Sequence, residues 1–197
     1  MCVSISKNNA KMGGIPSISF PPVVTCAECV GCAKKCYARR MATRRPSIGE
    51  AWQGNLNEWR KNPDAVKYAI LSAAVVSGFF RYFVGGDIPD KEFFSVMVEI
   101  AQTAKKCEFL AFTKKFDIVN EFLDGGGTLP ENLHVIFSEW GAPAPNPHGL
   151  PVARVIFKGE EIPENAKICG GNCVDCICRG VACWQMKKGD AIHFFEH

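Results

Sequence analysis

Apolar positions along this chain follow two alternating rhythms. Short runs at 79–84 (Phe-Phe-Arg-Tyr-Phe-Val), 109–112, 133–137 and 152–157 have the length and aromatic or β-branched content of buried strands. Between them, residues 90–106 place Phe93, Val96, Met97, Ile100, Ala101 and Ala104 at helical spacing. Further helices are predicted over 47–61, 63–77 and 116–123, with Pro63 suited to a first turn. An apolar run at 15–24 precedes them and is stopped by Pro21 and Pro22. Gly85-Gly86, the triple glycine at 125–127 and a proline-rich loop at 142–151 separate the periodic segments.

Strands alternating with helices imply parallel pairing and right-handed crossovers, hence an α/β fold. Four to six strands are too few for an eight-stranded barrel, so the expectation is a partial (β/α) barrel or an open parallel sheet. One domain over residues 1–197 is expected, with a cysteine loop at 26–36, a β/α core at about 47–158 and a second cysteine loop at 169–183. Both architectures collect ligands at the carboxyl ends of their strands. There the chain sets the first cysteine loop, Gly85-Gly86-Asp87, Thr113-Lys114-Lys115 and Ser138-Glu139-Trp140. Gly85, Gly86, Asp87 and Lys114 are therefore candidate cofactor-binding residues, and Glu139 a further candidate. For the charged ones the competing reading is a satisfied surface charge.

Composition narrows the class. Apolar content of 47% and charged content of 22% are globular values, which argue against wholesale disorder. A net charge of +3 does not by itself demand a polyanionic partner. The longest apolar stretch, 68–84, is broken by Ser72, Ser77, Gly78 and Arg81, short of the ~20 residues of a membrane span. Residues 1–14 contain no hydrophobic signal region, so a cytoplasmic, thiol-reducing setting is expected.

That setting decides how eleven cysteines are read. Cys26, Cys29, Cys32 and Cys36 have the C-x2-C-x2-C-x3-C spacing of bacterial iron–sulfur loops. Cys169, Cys173, Cys176, Cys178 and Cys183 form a second group near the other end. Thiolates two or three residues apart on a loop can converge on one metal centre, whereas disulfides suit longer separations and oxidising compartments. Nine clustered cysteines exceed one tetrahedral zinc site, although Cys26 and Cys29 with Cys173 and Cys176 could make one. They could instead ligate one or two 4Fe-4S clusters. Cys107 is read as a small core residue, and Cys2 lies outside both groups.

Lys34, Lys35, Arg39, Arg40, Arg44 and Arg45 raise the alternative of a nucleic-acid or phosphate patch. Projected onto one continuous helix they do not make a single stripe. His134, His148, His193 and His197 lack metal spacing, and the last two are read as part of a C-terminal tail. Trp52, Trp59, Trp140 and Trp184 are read as core or cluster-shielding residues. No phosphate loop or nucleophile elbow is present.

Several short segments together resemble the phage gene-product-eighty-eight family. They are Lys11-Met12-Gly13-Gly14, Val24-Thr25-Cys26, Cys32-x3-Cys36-Tyr37-Ala38, Gly86-Asp87, Thr113-Lys114, and Cys173-x2-Cys176 with Cys183-Trp184. The resemblance implies an iron–sulfur protein related to the radical S-adenosylmethionine barrel fold, and it implies no particular reaction. In layout, Gly85-Gly86-Asp87 is similar to the Gly-Gly-Glu stretch of those enzymes. Their C-x3-C-x2-C motif, which leaves one iron open for S-adenosylmethionine, is not matched: Arg39 stands at the third place after Cys32 and Cys36. A fully protein-ligated centre favours electron transfer or sensing, with a redox partner. An open-iron enzyme, and a zinc- or iron–sulfur-dependent nucleic-acid regulator, are the alternatives.

Overall fold

A computed structural model describes residues 3–7, 9, 11–26, 31–178 and 183–196. Six strands form one sheet: β1 (Ser17–Ile18), β2 (Phe79–Tyr82), β3 (Glu108–Thr113), β4 (Leu133–Ser138), β5 (Val152–Ile156) and β6 (Ala191–Phe195). All pair in parallel, and their spatial order is their chain order. The sheet is open, since β1 and β6 do not pair with each other. The parallel α/β class expected from the alternation is thus present, at the upper end of the strand count.

Helix α1 (Tyr37–Arg44) leads into a pair of long helices, α2 (Pro46–Lys61) and α3 (Pro63–Ser77). Between later strands lie α4 (Lys91–Thr103) and α5 (Phe116–Asp124), and the short α6 (Cys173–Cys178) sits in the second cysteine segment. Local chemistry sets these bounds. Pro46 and Pro63 occupy first-turn positions, where a missing N–H costs nothing. The Asn62 side chain accepts from Ala65 N, and Gly78 ends α3 in the left-handed conformation. Asp90 caps α4 through Phe93 N at 2.8 Å, and its other oxygen accepts the Trp59 indole N–H at 2.7 Å.

Because side chains alternate along a strand, the sheet has two apolar faces, and both are covered. On one, Ile18, Phe80, Tyr82, Phe109, Ala111 and Val135 pack beneath α2 to α5 through Leu56, Ile70, Phe93, Met97 and Val119. On the other, Leu110, Ile136, Ala153 and Ile192 pack against Met12, Ile15, Cys183 and Trp184, with Cys169, Cys173 and Ile177 alongside. The second cysteine segment is therefore the lid on the face the helices leave bare.

One reading needs correction. The histidine-bearing C-terminus is a strand rather than a tail: β6 pairs with β5 over its whole length, and His193 is buried. The run Ala-Ile-His-Phe-Phe after Gly189 and Asp190 carries the apolar signal, and the polar His193 interrupts it. His197 lies outside the described residues.

Phe93 is fully buried and meets Phe20, Trp59, Tyr82 and Phe83 with ring centroids 4.9–6.3 Å apart. Truncating it removes the shared contact of the helix layer and the sheet. Phe93→Ala is expected to lower the unfolding free energy by about 3–5 kcal/mol, read from urea denaturation at constant metal content.

Candidate functional site

The strand-end rim is organised by Asp87. Its carboxylate is buried, and both oxygens are claimed by the chain. The Thr113 hydroxyl donates to Oδ1 at 2.6 Å, Lys114 N to Oδ2 at 2.8 Å and Ile88 N to Oδ1 at 2.8 Å. In turn, Asp87 N donates to Thr25 Oγ1 at 3.0 Å. Asp87, in the loop that follows β2, thereby holds the end of β3 and the segment that follows β1. Burial pushes the Asp87 carboxyl upward, opposed by the Thr113 hydroxyl, the two backbone donors and the Lys114 charge.

Gly86 allows this arrangement. Its φ is 76°, and a Cβ there would lie 2.5 Å from the Phe20 carbonyl oxygen and 2.7 Å from Thr25 Oγ1. Gly85 lies against Trp52, whose ring would be 2.5 Å from an added Cβ. Lys114 turns its ammonium to Ser138 Oγ at 2.6 Å, tying β3 to β4. Glu139, also buried, accepts from Ala144 N at 3.0 Å and from Arg154 Nε at 2.8 Å. Gly85, Gly86, Asp87, Lys114 and Glu139 thus share the rim, with their polar atoms engaged by neighbouring residues.

The first cysteine loop is pinned to this rim at both ends. Thr25 is held by Asp87, and the Tyr37 hydroxyl donates to the Val84 carbonyl. Between them, Lys35 pairs with Glu196 at 2.6 Å, just beyond β6. Gly31 lies against the Trp140 ring. Cys36 caps α1, its sulfur accepting from Arg39 N at 3.4 Å. Cys26, Cys32 and Cys36 are each partly buried; Cys29 lies outside the described residues, as does Cys2.

In the second segment, Cys169 follows a bridge from Ile168 to His193, and its sulfur accepts from Gly171 N at 3.4 Å. Cys173 opens α6, anchored by its own N–H to the Lys11 carbonyl at 2.8 Å. Cys173 and Cys176 share a helix face three residues apart, whereas Cys178 is turned ~140° from Cys173 and is exposed. Burial pushes the Cys183 thiol up to about 12, with Arg81 opposing and Cys169, Cys173 and Cys176 adding to the rise. Burial likewise raises Cys173. Cys107, buried at the start of β3 and pushed up to about 12 by its burial, is the core residue its position suggests.

Arg81 lies near the second cysteine group and near Tyr37. In β2 it is level with Ser17 and Leu110, and its guanidinium lies 4.4 Å from the centroid of the Phe112 ring. Its charge acts on Cys173 and Cys183. It also acts on the Tyr37 hydroxyl, which feels Cys36 and Cys26 as well. Among the described residues no carboxylate pairs with it. The spacing of cysteines carries no hint of this cation, and an arginine inside the apolar run 79–84 is the only signal in the sequence.

As a donor set, Cys169, Cys173, Cys176 and Cys183 supply the four thiols a tetrahedral ion or one iron–sulfur cluster needs. Among the described residues no three His, Cys, Asp or Glu side chains are set in ligating geometry, so holding an ion would require the cysteine segments to draw closer together. His134 and His148 are taken by Glu108 at 2.7 Å and Asp124 at 2.9 Å.

The fold and site define an open, all-parallel α/β protein with one cysteine-bearing segment at the strand-end rim and another over the sheet face opposite the main helices. No helix among the described residues is long and apolar enough to cross a membrane. The chain belongs to the Gene product 88 family, whose family model matches residues 4–190. Comparison with curated proteins found no match, and comparison with solved structures found none.

A raised carboxyl pKa stabilises the fold fully below the ordinary value of 3.8, and this contribution is lost as pH rises through the raised value. The unfolding free energy of the wild type minus that of Asp87→Asn is therefore expected to fall with rising pH across the acid range. Urea titrations of both proteins at a series of pH values check this; a difference that grows with pH contradicts the burial argument.

Proposed function

We propose that this chain is an iron–sulfur protein whose two cysteine segments hold a protein-ligated 4Fe-4S centre, or two, for electron transfer or sensing. The observation that carries the reading is the half-buried Arg81, without a carboxylate partner among the described residues, beside Cys173 and Cys183 of the second group and beside Tyr37, which adjoins Cys36 of the first. Its Nε donates to the Tyr82 carbonyl at 3.2 Å and its guanidinium lies over the Phe112 ring, contacts that leave its full charge uncompensated and favour negative charge nearby. Thiolates in the metal-bound state are that charge. Such a centre supplies one-electron chemistry when bound.

The chain's own residues support the rest. Trp184, Phe79 and Met12 form an apolar wall beside Cys169, Cys173 and Cys183, which excludes water. Backbone N–H groups of Gly171 and Arg39 point at Cys169 and Cys36 sulfur, the type of contact that adjusts a cluster's potential. The open sheet and its strand-end loops fit a partial (β/α) barrel of the radical S-adenosylmethionine kind. An open-iron reaction draws less support, because the Gly85–Asp87 stretch is spent on Trp52, Phe20, Thr25 and β3.

Anaerobic purification with iron and sulfide quantification, together with EPR of the reduced protein, tests this. Iron and sulfide in equal amounts are expected. Cys173→Ser and Cys176→Ser should lose iron, and Cys107→Ser should retain it. Colourless protein that carries zinc and no iron overturns the reading.

Arg81→Leu is expected to retain iron while lowering the reduction potential by about 50–100 mV, since a nearby cation favours the more negative reduced state. EPR-monitored redox titration reads this, and an unchanged potential removes Arg81 from the argument.

A further inference from the structure

Between Gly31 and Gly49 the chain contains no Asp or Glu, yet it carries six basic residues from Lys34 to Arg45. Their arrangement differs from a single continuous helix. Ala33–Lys35 is a 3-10 turn, Cys36 is extended at φ −62° and ψ 111°, and the α-helical phase starts afresh at Tyr37. On the restarted helix, Arg39, Arg40, Thr43 and Arg44 fall within ~140° of one another, opposite the packed Ala38 and Ala42. With Lys34 and Cys36 they line a groove of about 240 Å³. Lys35 is committed to Glu196 and Arg45 lies outside the groove.

Among the described residues none of Lys34, Arg39, Arg40 or Arg44 has a carboxylate partner. The Thr43 hydroxyl is occupied by the Arg39 carbonyl, so recognition falls to the cations. Arginines in a fork geometry suit phosphate oxygens in particular. Beside them stands Tyr37, 47% exposed, with its hydroxyl tied to the Val84 carbonyl so that the ring is held while its surface faces solvent. Tyr37, Arg40 and Arg44 follow at i, i+3 and i+7, which brings the ring to the flank of the groove.

We infer that this groove binds single-stranded nucleic acid, the phosphates lying along Lys34, Arg39, Arg40 and Arg44 and an unpaired base stacking on Tyr37. A cationic track with an anchored, exposed aromatic ring is the arrangement that holds single strands without reading sequence. A duplex hides its base faces and offers the ring nothing to stack on. The contacts proposed come from the cations and the Tyr37 ring, while Cys36, which also belongs to the first cysteine group, only lines the groove.

Fluorescence anisotropy with the full-length protein, a fluorescein-labelled 20-mer of deoxythymidine, the matching uridine RNA and a labelled duplex tests the inference. Single strands should bind with a log–log salt slope of about −2 to −3, the value for three or four neutralised phosphates. Arg40→Ser with Arg44→Ser should reduce that slope by about 1.4. Tyr37→Leu should weaken binding at least about fivefold and leave the slope unchanged, while Tyr37→Phe should retain binding. Circular dichroism of each variant confirms folding, and where Tyr37→Leu fails to fold the Tyr37→Phe and arginine variants decide. Absence of binding, salt-independent binding, equal affinity for the duplex, or equally effective competition by inorganic polyphosphate each overturns it.

Discussion

The carboxylate of Asp87 sits out of water at the end of β2, and its oxygens accept from a hydroxyl and two backbone N–H groups. An unpaired buried carboxylate would be too costly to keep, so its position is tolerable only while β3 supplies Thr113 and Lys114. Its own N–H holds Thr25, one residue before Cys26. Gly86 is the geometric condition for all of this, since any side chain there would displace Phe20 or Thr25. Three successive strand ends are thereby locked in register around one buried group. The loops they carry inherit that register.

Two consequences run outward from the lock. The first cysteine loop is fixed to the strand-end rim where it begins, by Thr25 on Asp87, and where it ends, by Tyr37 on Val84. The second segment is placed differently, over a face of the sheet. Its lid residues Cys183, Trp184 and Met186 are the apolar cover for Leu110, Ile136 and Ile192. Hydrophobic burial places the second group and polar tethering places the first. Arg81 lies near the second group and near Tyr37, on the strand that the Asp87 lock terminates.

Much of this framework is legible in the sequence, and the reasons differ by element. Helix α3 announces itself through Asn62, Pro63 and the closing Gly78, all local signals. Strands β3 and β4 are short apolar runs bounded by turns and need no partner to be recognised. Strand β6 is obscured because His193 breaks its apolar run beside the chain end, and only pairing with β5 reveals it. Helix α1 is hidden by its basic residues, and its phase depends on the bend at Cys36. Asp87 and Lys114 can be suspected from their strand-end positions. That Asp87 bonds to Thr113 and Lys114 follows from β2 pairing with β3, a fact of spatial order that no local spacing encodes.

The distribution of charge separates what serves the fold from what is left over. Carboxylates are largely spent: Asp87 on strand ends, Asp90 on a cap and an indole, Glu139 on Arg154 and a backbone N–H, Glu108 on His134 and Glu196 on Lys35. Arg81, Arg39, Arg40 and Arg44 have no such partner among the described residues. A net charge of +3 conceals this asymmetry, because it averages committed anions with uncommitted cations. Partnered charges cost the fold little and explain its geometry. Arg81 is held by the Tyr82 carbonyl and the Phe112 ring, whereas Arg39, Arg40 and Arg44 lie along one exposed side of α1. The cations that the fold's own carboxylates leave over are thus concentrated on that helix.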